Sequence, residues 1–182
     1  RFPNLNEVIR REIDLSIAFS KTTDNKEPDE IQPVIIKRGA EEFEKIRLRT
    51  ENSKTGRPRV FMFTYGDLVI RRERSTFAGN FFACGGYEVH DNIGFSSVDE
   101  GIDEAIRCKP DIVVICSSDG EYTVVAPEIY QRLKDNALIV IAGIPESINE
   151  LKMAGIEHFI HRRVNIIEEL NKYNQLLSNV SE

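Results

Sequence analysis

An α/β fold, with a doubly wound five-stranded parallel sheet of flavodoxin-like order 2-1-3-4-5, is predicted by three features of residues 59–182. Apolar β-type runs alternate there with segments of helical period. The runs DIVVIC and ALIVIA are apolar at consecutive positions, the pattern of strands covered by helices on both faces. Five strand–helix units follow one another, and right-handed crossovers leave an open doubly wound sheet as their simplest arrangement.

The strands are predicted at 59–65, 87–91, 111–117, 138–142 and, shorter, at 158–161. Between the first two, Phe77, Ala78, Phe81 and Phe82 form one helical stripe. Ile102, Ala105 and Ile106 form the next, and Ser97 with Glu100 has capping-box spacing at its start. Asn165 and Glu168 repeat that spacing before the last helix, whose Ile166, Ile167, Leu170, Tyr173 and Leu177 share a face. Ligands of such a sheet meet the loops after strands one, three and four.

Residues 1–58 read differently. KTTDNKEPDEIQP is polar and punctuated by Pro28 and Pro33, as a linker or loop is. GAEEFEKIRLRTEN, residues 39–52, has helical character with Phe43, Ile46 and Arg47 on one side. NLNEVIRREIDLSIAF is a second helical candidate, weakened by its β-branched residues. These pieces cannot bury a core alone. The expected organisation is the tail of another domain plus a connector over 1–58, and one α/β domain over 59–182.

Composition narrows the function classes. The formal net charge of −6 is uneven: residues 1–58 carry 12 Lys/Arg against 11 Asp/Glu, and residues 59–182 carry 12 against 19. An acidic globular part argues against nucleic-acid backbone binding. No apolar run approaches the ~18 residues of a membrane span, so a soluble, cytoplasmic protein without a membrane partner is expected. Cys84, Cys108 and Cys116 are odd in number, lie in or beside apolar segments and lack metal-ligand spacing, which reads as reduced structural thiols. The first residue is Arg1, not Met, so a piece of a longer chain is expected.

The loops after the strands carry the candidate chemistry. A receiver domain needs clustered acids after strand one and a phosphorylatable Asp ending strand three; here the first loop offers only Asp67, and strand three ends in Cys116, Ser117 and Ser118 before Asp119. A phosphate cradle needs a Ser/Thr/Gly-rich loop, whereas TYGDLVIRRER has one glycine among bulky residues. G-x-G-x-x-G is absent. Arg71, Arg72 and Arg74 near a helix start are a candidate anion grip or a solvated or interface-forming face. Ser117, Ser118 and Asp119 have no His placed to activate a serine, and polar turn residues closing a buried strand are the simpler reading. His90, His158 and His161 are too scattered for a metal site.

One resemblance is specific. GAEEFEKIRLRTEN, GRPRVFMFTYGDL, FFACGGYEV, KPDIVVICSSD and LIVIAG, in that order, closely resemble the connector and cobalamin-binding domain of the methylmalonyl-CoA mutase family. RFPNLNE resembles the end of the barrel in the small subunit of its heterodimeric members. In cobalamin-binding members the loop after strand one carries Asp-x-His-x-x-Gly, whose His ligates cobalt and whose Asp holds that His. The resemblance puts Val69 at the Asp, Arg71 at the His and Arg74 at the Gly. Ser-x-Leu after strand three becomes Ser117, Ser118 and Asp119, and Gly-Gly after strand four becomes Ala142 and Gly143.

The resemblance therefore implies a degenerate cobalamin site, with no catalytic, metal or cofactor-binding residues. Its implied function is the C-terminal region of the non-catalytic small subunit, contributing assembly. A large-subunit partner would hold adenosylcobalamin and interconvert succinyl-CoA and methylmalonyl-CoA. The alternative is a stand-alone degenerate receiver-like or anion-binding regulatory module built on the arginine loop.

Overall fold

Along β1 (Arg59–Thr64), Val60 and Met62 face one apolar layer while Phe61 and Phe63 face the other. All four are almost fully buried. This alternation on a strand wet on neither side is what helices on both faces impose. The computed structural model describes residues 39–53 and 56–180, the side chains of 179 and 180 excepted. All of these lie in one compact unit, Arg38–Glu182. The sequence expectations for RFPNLNE, NLNEVIRREIDLSIAF and KTTDNKEPDEIQP fall outside the described residues.

In chain order the elements are α1 (Glu41–Glu51), β1, α2 (Leu68–Cys84), β2 (Glu88–His90), α3 (Val98–Cys108), β3 (Ile112–Cys116), α4 (Asp119–Leu133), β4 (Leu138–Ala142), α5 (Ile148–Met153), β5 (His158–Ile160) and α6 (Ile166–Val180). The strands form one parallel sheet of order β2-β1-β3-β4-β5, the order the sequence predicts. Val60 sits opposite Ile112, and Ile112 opposite Leu138, so the three central strands start level. β2 is shorter than its predicted span: Tyr87 turns inward to pack on Phe82, and the Asp91 carboxylate accepts from Ser75 Oγ at 2.6 Å.

One layer joins α1, α2 and α6 to the sheet through Ile46, Ala78, Phe81, Phe82, Leu170 and Tyr173. The other joins α3, α4 and α5 through Ile102, Ala105, Tyr122, Ile129, Leu133 and Leu151. Helix ends follow the predicted chemistry. Ser97 Oγ accepts from Glu100 N at 3.2 Å, and Glu100 Oε2 in turn accepts from Ser96 N at 2.9 Å. Asn165 Oδ1 accepts from Ile167 N at 3.2 Å while its amide donates to Glu168 at 2.7 Å.

α1 is docked onto this domain. Ile46 and Thr50 are buried, and Asn174 of α6 donates to Thr50 Oγ1 at 3.1 Å while accepting from Tyr87 Oη at 2.6 Å. Arg47 lies at the rim, paired with Glu51 at 2.7 Å. No described helix is long and apolar enough to cross a membrane.

Candidate functional site

After β1 the chain turns onto the α1/α2/α6 face, and after β3 it turns onto the opposite face. The loops leaving these neighbouring strands therefore diverge, and the crevice between their ends is where ligands of such sheets sit. In this chain the crevice is filled by its own side chains.

The first loop turns at Gly66, whose φ of +81° requires a residue without a Cβ. Asp67 then caps α2, its Oδ1 accepting from Val69 N and Ile70 N at 3.0 Å each. Those two N–H groups are the ones a bound anion would need, and a carboxylate already holds them. Val69 is 73% exposed and points away from the crevice.

Arg71 and Arg74, one turn apart on α2, reach back over the strand ends. Arg71 donates through Nη1 to Gly66 O and through Nη2 to Ile93 O, both at 3.1 Å, tying the loop after β1 to the loop after β2. Its Nε is buried with no hydrogen-bond partner among the described residues. Gly94 makes room for this guanidinium: a Cβ there would lie 2.4 Å from Arg71 Cζ.

Arg74 crosses the crevice in the other direction. Nη1 donates to Ser117 O and Nη2 to Asp119 Oδ1, both at 2.6 Å. Its Cζ stands 5.0 Å from the centroid of the Tyr122 ring. A Cβ on Gly143, after β4, would lie 3.3 Å from the same carbon. Burial alone would make this guanidinium easier to deprotonate, but its contacts with Tyr122 and Asp119 outweigh that and raise its pKa above the usual value.

Beneath Arg74 the two central strand ends are joined by Tyr122. Its hydroxyl lies 2.8 Å from Ala142 O and 3.1 Å from Ile115 O, and accepts from Ser117 N at 3.3 Å. Beside it, Glu121 accepts from Ser117 Oγ at 2.6 Å, Ser118 Oγ at 2.7 Å and Ser118 N at 3.1 Å. Burial works against this carboxylate's ionisation, yet the bonds from Ser117 and Ser118 prevail and lower its pKa. A Cβ on Gly66 would fall 2.0 Å from Glu121 Oε2, so the glutamate packs directly against the first loop.

The structure thus gathers Arg74, Ser117, Asp119 and Gly143 at one point, sets Arg71 at a second junction, and leaves Val69 outside both. Arg72 is exposed, and Glu73 pairs with Arg162 after β5. Ser117 and Ser118 close the buried strand as turn residues, their hydroxyls spent on Glu121. Tyr122 and Glu121 are the contributors that sequence reasoning missed. Ser118-x-x-Glu121 has the same spacing as Ser97-x-x-Glu100 and was legible on that ground.

The histidines stay apart. His90 Nε2 is 3.2 Å from Glu88, His161 Nδ1 accepts from Arg163 N at 3.2 Å, and His158 packs on Tyr173. Burial, then Lys172, holds the His158 pKa below the ordinary histidine range. No group of three His, Cys, Asp or Glu among the described residues is placed to hold a metal ion. The Cys116 thiol is fully buried, and burial pushes its pKa up. The arrangement does one thing chemically: it engages most of the carbonyls, N–H groups and charges of the ligand edge with internal partners, Arg71 Nε being left without one among the described residues.

No family model matches the chain. It is 44% identical over 175 residues to the methylmalonyl-CoA mutase small subunit of Porphyromonas gingivalis, covering 96% of this chain and 28% of that protein. It is 29% identical over 141 residues to the probable methylmalonyl-CoA mutase small subunits of Mycobacterium bovis and Mycobacterium tuberculosis, covering 75% of this chain and 23% of each relative. The chain thus spans between 23% and 28% of the curated relatives it matches. Among solved structures, a novel cobalamin-binding protein from Desulfitobacterium hafniense aligns with a TM-score of 0.49 at 20% identity, covering 73% of this chain and 66% of that one.

Proposed function

From the premise that this chain is homologous to one segment of methylmalonyl-CoA mutase small subunits, we propose that it is the C-terminal region of such a subunit. In this reading the subunit is non-catalytic and pairs with a large subunit that binds adenosylcobalamin and isomerises succinyl-CoA and methylmalonyl-CoA in the cytoplasm, as part of propionate metabolism. The region described here serves assembly and stability. The observation that carries the reading is 44% identity sustained over 96% of the chain.

The edge geometry supports a role without a cofactor of its own. A cobalt ligand from the loop after β1 must offer a nitrogen lone pair. Arg71 stands at that position by resemblance, and its guanidinium has no lone pair to give and is tied to two carbonyls. Arg74 fills the space beside Gly143 that a nucleotide tail would need. The residues present do not fit cobalamin, and no chemical step is assigned to this region. The regulatory alternative draws little support from Arg71 and Arg74, since all four of their Nη atoms are engaged by carbonyls and Asp119.

The test is co-expression of the full-length protein with a methylmalonyl-CoA mutase large subunit, followed by co-purification and a mutase assay. A stable heterodimer, whose yield falls when this region is deleted, is expected. Failure of the two chains to associate would remove the proposal. Titration of the purified chain with hydroxocobalamin is expected to give no protein-induced spectral change, and a saturable micromolar shift would overturn the cofactor-free role.

A further inference from the structure

We infer that the ligand edge contains a built receptor for a planar cation, occupied by the chain's own Arg74, which accepts a free guanidinium ion when that side chain is removed. The receptor has four walls. The Ser117 carbonyl and the Asp119 carboxylate each accept one Nη at 2.6 Å, the Tyr122 ring lies 5.0 Å from Cζ, and Gly143 leaves its side open. Two acceptors aimed at separate Nη atoms, with an aromatic ring against the cation, match a flat, delocalised ion and not a compact ammonium.

The backbone of all four walls, and the Tyr122 ring, are held without Arg74; the Asp119 carboxylate alone has the arginine as its partner. Tyr122 is fixed by its hydroxyl contacts to Ile115 O and Ala142 O, both in the sheet. Gly143 donates to Ile160 O at 2.8 Å, which anchors the turn after β4. The start of α4, and with it Asp119, is held by the Ser118–Glu121 capping box. Removing the arginine therefore leaves the Ser117 carbonyl, the Tyr122 ring and the Asp119 backbone in place with the cation missing, so a guanidinium ion has only the Asp119 side chain to reorder. The inference does not rest on the mutase reading: a chain that fails to bind a large subunit would still carry this receptor.

The experiment uses the full chain carrying Arg74→Ala and follows thermal unfolding in methylguanidinium chloride, with sodium chloride and tetramethylammonium chloride at equal ionic strength as controls. Methylguanidinium is expected to raise the melting temperature of Arg74→Ala saturably relative to the wild type, whose site is full and which registers only the ion's general denaturing action. At ten times its dissociation constant the ion multiplies the folded-to-unfolded ratio by about 11. Adding Asp119→Ala to Arg74→Ala should weaken the effect at least tenfold.

Equal responses of the variant and the wild type, or equal stabilisation by all three salts, would overturn the inference. Should Arg74→Ala not fold, nitrogen-detected NMR of the wild-type chain decides. Arg74 Nη protons that exchange slowly, and that shift on Asp119→Ala, support the receptor. Averaging as rapid as that of exposed Arg72 overturns it.

Discussion

Tyr122→Phe tests how firmly the ligand edge is closed from below. The substitution keeps the ring, its packing and its face toward Arg74, and deletes one oxygen. Tyr122 is fully buried and so is Ser117, whose N–H donates to that oxygen. Phenylalanine strands this donor and removes the hydroxyl that donates to the Ala142 carbonyl. A buried donor left without a partner costs about 1–3 kcal/mol, and the ring fills the same volume, so no cavity term is added. The expected loss is ~2 kcal/mol. At ~2–4 °C per kcal/mol for a chain of this size, the melting temperature should fall by about 4–8 °C. Urea unfolding followed by far-ultraviolet circular dichroism should show a lower midpoint with an unchanged slope. A loss below ~0.5 kcal/mol would refute the reasoning, because it would mean that water reaches the Ser117 N–H and that the edge is open.

Asn174→Ala removes the acceptor of the buried Tyr87 hydroxyl and the donor to Thr50, and should cost about 1–3 kcal/mol. Hydrogen exchange should then accelerate in α1 ahead of the sheet, and a uniform change across the chain would contradict the docking role. Gly101→Ala should destabilise by ~1–3 kcal/mol despite alanine's better helix propensity, because the new Cβ would stand 2.4 Å from Phe63 Cζ; calorimetry showing a gain would mean that Phe63 yields. Glu121 has a depressed folded pKa, so its contribution is present above the unfolded value of about 4.3 and is lost as pH falls through the lower folded one. Glu121→Gln should therefore flatten the acid limb of the stability curve below that pH, and melts with the same acid slope in both proteins would exclude the assignment.

The sheet was legible because its signals are local. VVIC and IVIA announce strands covered on both sides, and strand order followed from chain order and crossover hand. The helix starts at Ser97 and Asn165 were read from four-residue patterns that involve no distant partner. The closure of the edge was legible only as lost motif positions. That Arg71 and Arg74 share a helix face follows from their spacing, but their acceptors are contributed by Ile93, Ser117 and Asp119, 22, 43 and 45 residues away. Carbonyl acceptors have no sequence signature, so the partners had to be seen. Val69 shows the reverse limit: assigned to the site by resemblance, it lies on the solvent side of its helix. α1 read as a connector because the groups that dock it, such as Asn174, lie as far as 124 residues along the chain.

The acceptors chosen by the two arginines bear on how this edge changes over generations. Three of the four, Gly66 O, Ile93 O and Ser117 O, are main-chain atoms, which every residue type supplies. Neighbouring codons can drift without unlocking the crevice, provided the backbone keeps its course. The closed state therefore tolerates substitution at residues that lend only their carbonyls and depends most on Arg71 and Arg74, beside the side-chain requirements at Gly66, Gly94, Asp119 and Tyr122. A lineage could reopen the pocket, or a designer could set out to do so, by changing very few codons on an otherwise intact scaffold.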